Sequence, residues 1–164
     1  MRYRPVTSCL LPLGEVQGKH LVSIEGSNGN GLNSVQRALV DQGAVQCGYC
    51  TPGLVIALTV FLLSPQTFSL PQVLEAVGGS LRRCTGYVAI KRAVAELCQR
   101  FPVECIDETG RGLTLVQWGI LPDRFRSIPE RLRQLPTPKT TAHLRDATVV
   151  AGEPACSCRS QIVW

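Results

Sequence analysis

The stretch Val45-Gln46-Cys47-Gly48-Tyr49-Cys50-Thr51-Pro52-Gly53 constrains this chain more than any other. Two cysteines separated by two residues bring both sulfurs within reach of one metal ion or one iron–sulfur cluster. Gly48 lets the backbone turn between them at little steric cost. Thr51 is a good N-cap, Pro52 suits the first helical position, and an apolar run, 54–63, follows at once. The spacing therefore predicts a ligand loop seated on a helix N-terminus, where backbone N–H groups and the dipole favour an anion. Arg82-Arg83-Cys84-Thr85-Gly86-Tyr87 repeats the arrangement, a cysteine in a short turn before an amphipathic segment.

The segments around these loops read as helices. Asn33 caps the first, with Gln36 as its capping-box partner, Val35, Leu39 and Val40 as its apolar face and Gln42-Gly43 as its end. The second, about 52–64, is apolar nearly all round, which predicts the central helix of a bundle, stopped by Pro65. The third, about 70–77, has Ser69 as N-cap, Pro71 in its first turn and Gly78-Gly79 at its end. Tyr87, Ile90, Val94, Leu97 and Phe101 fall at helical spacing on one face of the fourth. The fold class expected is mainly α: a four-helix-bundle-like domain whose cysteine loops meet at one end. Tyr3 to Leu10 reads as a short extended segment, and 21–25 alternates like a strand. Two such strands need more sheet than this chain is expected to offer. Past Phe101 the expectation is a polar loop over 104–114, a short helix over 128–135, a mobile stretch over 136–145 and a strand over 147–152.

Composition excludes several classes. The chain has 164 residues, 45% hydrophobic and 18% charged, enough apolar material for a core. Its formal net charge is +5, with arginines spread along 82–133 and not interleaved with aromatics, so no nucleic-acid partner is expected. Eight cysteines do not make a disulfide scaffold here. No secretory leader opens the sequence, and the clustered cysteines have ligand spacing. A reducing cytoplasm is expected. No membrane partner is expected either, since the run 54–63 is far short of the roughly 20 residues a bilayer needs.

Gln46-Cys47-Gly48-Tyr49-Cys50-Thr51-Pro52-Gly53 followed by Arg83-Cys84-Thr85-Gly86-Tyr87 resembles the helical 2Fe–2S domain of xanthine dehydrogenase and its molybdenum-hydroxylase relatives. The resemblance implies an electron-transfer segment of the small, iron–sulfur and FAD subunit, passing electrons from a molybdopterin centre towards FAD. Carried over, Cys47, Cys50 and Cys84 would ligate a 2Fe–2S cluster, and Gln46 and Cys84 would approach the pterin. Tyr49 and Tyr87 are expected to pack beside the site. The implied partner is the molybdopterin-binding large subunit; FAD and molybdopterin belong to that complex and are not expected on this chain alone, which is not expected to be catalytic by itself. The resemblance also divides the chain. Residues 1–26 match the end and linker of a ferredoxin-like domain, which implies that Met1 is an internal start. Residues 27–101 are the helical domain, 102–146 a linker, and 147–164 the start of a flavin domain. The tail, 153–164, fits nothing and reads as out of frame.

One departure is serious. The family's second motif reads Cys-Arg-Cys-Thr-Gly-Tyr, and here Arg82 stands at its first cysteine. An arginine donates no electron pair to iron, so three of the four ligands survive. Two other readings stay open. One is a non-functional remnant that folds as a bundle without a cluster. The other is a small zinc module using Cys47, Cys50, Cys84 and a fourth ligand such as His20. Cys9 is expected to be a small buried apolar residue, and Cys98 and Cys105 ordinary thiols.

Overall fold

The computed structural model describes residues 2–65, 69–79, 86–102, 110–136 and 160–163. It is mainly helical, and its element order is β1 (Arg4–Thr7), β2 (Leu21–Val22), α1 (Ser34–Asp41), α2 (Thr51–Leu63), α3 (Leu70–Ala76), α4 (Gly86–Arg100), α5 (Arg111–Gln117), α6 (Ile128–Arg133) and β3 (Ser160–Val163). Short 3-10 turns join several of these.

The four expected helices are present and close a ring. α1 packs on α2 and α4, and α3 packs on the same two. α2 is the shared wall. Leu54, Val55, Ile56, Leu58, Thr59, Val60, Phe61 and Leu62 are all buried, because bundle, sheet and α5 meet it from different sides. Thr59 satisfies its hydroxyl by donating to the Val55 carbonyl at 2.7 Å. On α4, Ile90, Val94 and Leu97 are buried, as is Phe101 just beyond it, on the face their spacing predicts. Each such aliphatic side chain contributes about 1.5–3 kcal/mol through burial.

Several local expectations need correction. Thr51 is the first helical residue rather than the cap; Cys50 holds the N-cap, and Thr51 N instead closes a turn onto the Gly48 carbonyl at 3.2 Å. Ser69 does precede α3, but its side chain makes no capping bond. Cys9 is exposed, in a 3-10 turn (Ser8–Leu10) that buries no residue. Part of the loop expected at 104–114 is helical, since α5 starts at Arg111. Residues from α5 onward supply Leu115, Val116, Ile120, Leu121 and Phe125 to the same core as the bundle. Arg124 also reaches back across the chain to the Gly26 carbonyl at 2.5 Å and the Asn28 carbonyl at 3.1 Å.

The two short strands find their missing sheet in the tail. β3 lies between β1 and β2 and is antiparallel to both, with Val163 opposite both Arg4 and Leu21. The small sheet rests on α2. The stretches expected to be mobile (136–145) or extended (147–152) lie, apart from Pro136, outside the described residues. The flank before β2 leaves Leu10 and Leu13 largely exposed.

Candidate metal centre

The first cysteine loop is held from both ends. At its start, α1 closes on the left-handed Gly43, with φ 64°. Gly43 N bonds the Val40 carbonyl at 2.9 Å and Ala44 N the Leu39 carbonyl at 2.8 Å, the two bonds of a Schellman motif. Ala44 and Leu39 are buried together in the core, which fixes the direction in which the chain leaves. Gln42, at the C-cap, donates to Glu96 on α4 at 2.9 Å. At the loop's other end, the Cys50 carbonyl accepts from Leu54 N at 3.1 Å and so opens the backbone ladder of α2.

Between these anchors Gly48 takes φ 78°, a conformation a side chain would disfavour by about 1–2 kcal/mol. This turn sets Cys47 and Cys50 on either side of a two-residue tip. Cys47 is exposed and Cys50 half-buried against the core. Tyr49, at the tip, is 61% exposed, so its ring does not pack as expected. Gln46 is exposed too. Arg82 and Cys84 lie outside the described residues, as do Cys105, Cys156 and Cys158. Among the described residues, no three His, Cys, Asp or Glu side chains gather as a metal site.

His20 is occupied elsewhere. Its Nδ1 lies 2.9 Å from the Tyr3 hydroxyl, and its ring meets Phe125 edge to face at 5.4 Å between centroids. Burial first, then the charges of Arg131 and Arg124, hold its pKa below the ordinary 6.5. A neutral ring with its proton on Nε2 accepts the phenol's bond. The structure therefore does not gather His20 with Cys47 and Cys50. Nothing in the sequence announces the Tyr3–His20 pair, whose members are 17 residues apart.

Residues 23–95 match the family of the 2Fe-2S binding domain. Over these residues the chain is similar to that family. The xanthine dehydrogenase iron-sulfur-binding subunit of Escherichia coli O157:H7 is 38% identical over 98 residues, which is 58% of this chain and 61% of that subunit. Aldehyde oxidase 1 of Rattus norvegicus is 32% identical over 124 residues, and the aldehyde oxidase of Homo sapiens 31% over 124. Those two alignments take in 73% of this chain but only 9% of each oxidase. No solved structure matches the chain. The loop that bears Cys47 and Cys50, the whole of α1 to α3 and most of α4 thus lie inside the matched residues. α5, α6 and β3 lie beyond the matched residues. No described helix is long and apolar enough to cross a membrane.

Proposed function

We propose that the chain is an iron–sulfur electron-transfer segment of the xanthine dehydrogenase small-subunit type, serving a molybdopterin-binding large subunit in the cytoplasm. The observation that carries this reading is the turn from Cys47 to Cys50, with Gly48 left-handed and Cys50 at the N-cap position of α2. Cys47, Cys50 and Cys84 would hold a 2Fe–2S cluster, and Gln46 and Cys84 would face the pterin. The donor set fits as far as it is described: two thiols on a turn anchored at both ends. When bound, such a cluster supplies a one-electron carrier whose potential is set by charge, hydrogen bonds and exposure.

The chain's own residues do the positioning. The Schellman closure of α1 and the burial of α2 from Leu54 onward hold the turn. Arg82 favours a second reading, a bundle that folds without a cluster, because it takes the place of a ligand.

Anaerobic reconstitution of the full chain with iron and sulfide separates the readings, with Arg82→Cys treated in parallel. Two irons and two sulfides per wild-type chain, with visible charge-transfer absorption, are expected if three cysteines suffice. Loading of Arg82→Cys alone would leave the bundle competent and make the natural chain a cluster-free remnant. Loading of neither would overturn the assignment of Cys47, Cys50 and Cys84. Zinc retained by the wild type at one ion per chain would point to the structural module instead.

A further inference from the structure

Away from the cysteine loop, a cavity of about 880 Å³ opens between the start of the chain, the end of α2 and the α5–α6 region. Its volume falls within the range of small-molecule sites, about 300–1,000 Å³. Leu63, Leu121 and Phe125 form its apolar wall. Four arginines, Arg2, Arg111, Arg126 and Arg133, line it as well, and no carboxylate is among the described lining residues.

The arginines sit at two depths. Arg111 is 6% exposed and donates to the Ser64 carbonyl at the end of α2. This bond, with the other contacts Arg111 makes within the chain, holds the guanidinium beside the apolar wall. Arg126 and Arg133 stand at the rim, their side chains 46% and 75% exposed. They pair on the outside with Asp123 at 3.3 Å and Glu130 at 3.1 Å, contacts that solvent screens. Arg2 is exposed. The planar fork of an arginine suits two-point bonding to a carboxylate or phosphate.

We propose that this cavity binds a small anionic amphiphile, its carboxylate or phosphate head among the arginines and its apolar body against Leu63, Leu121 and Phe125. Calorimetric titration of the full chain with dodecanoate, dodecyl phosphate and dodecanol, each below its aggregation limit, tests this. Both anions, or one of them, should bind about tenfold tighter than the neutral alcohol and weaken with added salt. Their order tells a fatty-acid-like ligand from a phosphate-bearing one. The rim variant Arg2→Ala with Arg133→Ala should lose the preference for an anion while keeping the wild-type melting temperature. Arg111→Lys keeps the buried charge but not the fork, and should weaken the anion more than the alcohol. Equal binding of anion and alcohol, an unchanged preference in the rim variant, or no binding at all would each overturn the proposal. Equal binding would mean that the arginines are neutralised by the chain's own carboxylates, or that the apolar flank at Leu10 and Leu13 is the binding surface.

Discussion

Asn33→Ala should lower stability by about 2 kcal/mol, near the top of the range for a lost N-cap. Asn33 is 4% exposed and Gln36 7%. The Asn33 carboxamide oxygen accepts from Gln36 N at 2.9 Å, and the Gln36 carboxamide oxygen accepts from Asn33 N at 2.9 Å. Alanine removes the first acceptor and leaves a buried N–H without its partner, a loss of about 1–3 kcal/mol where water cannot replace it. The bond from Asn33 Nδ2 to Ser27 Oγ, 3.3 Å long, adds little, because Ser27 keeps its own bond to the Ile24 carbonyl at 2.6 Å. The assay is urea unfolding followed by helical circular dichroism. With a slope of about 2 kcal/mol/M, the midpoint should fall by about 1 M. Asn33→Ser keeps a cap oxygen and should lose less than half as much. The double variant with Gln36→Ala should cost clearly less than the sum of the single changes, since both halves of the box act as one unit. A loss below about 0.5 kcal/mol for Asn33→Ala, or a serine variant as unstable as the alanine one, would refute the reasoning.

Leu58→Ala, at a site 2% exposed in the wall shared by bundle and sheet, should cost about 2–5 kcal/mol in the same unfolding assay; a cost near zero would mean that α2 is not central. The pH dependence follows from His20, whose ring is kept neutral in the folded chain by burial, Arg131 and Arg124. The unfolded chain takes up that proton first as pH falls through about 6.5, so this contribution is fully present above that pH and is lost below it, on the way down to the folded value. His20→Gln should flatten that limb of a stability-against-pH curve, and an unchanged limb would exclude His20 as its source. Deleting residues 160–164 removes the strand that lies between β1 and β2. Amide exchange at Val6 and Val22 should quicken and light scattering should rise, because unpaired edges pair with other chains; unchanged exchange would mean that β3 does not protect them.

What was legible in the sequence was local. The Asn33 and Gln36 box needs only residues three apart, and it forms as its pattern says. α2 is apolar on every side, and the structure surrounds it. The face of α4 repeats at helical spacing, and its buried residues follow that spacing. The misses are non-local. Arg-Gly-Leu-Thr-Leu-Val-Gln, the sequence of α5, holds a glycine and β-branched residues and favours no helix by itself. Burial of Leu115 and Val116 against the core decides it instead. β3 pairs with residues more than 130 positions away, a match that no periodicity announces. At the candidate site, the CxxC spacing and Gly48 gave the turn, but α2 starts at Thr51 itself, which leaves Cys50 in the N-cap position.

α2 links the two sites without making them one. Cys50 holds the N-cap position before its first turn, and Leu63, its last residue, lines the arginine cavity. Thirteen helical residues rise about 20 Å, so nothing bound in the cavity reaches the cysteines directly. The coupling that remains is thermodynamic. A ligand that binds only the folded chain raises the stability of the whole cooperative unit, by about 2.7 kcal/mol at a hundred times its dissociation constant. An anionic amphiphile should therefore raise the melting temperature of the wild type and of Arg82→Cys alike, with or without iron. A rise that appeared only after iron loading would require α2 to change shape between its ends. The Schellman closure before the loop and the buried wall behind it argue against that, because both hold the helix start in place without help from a metal.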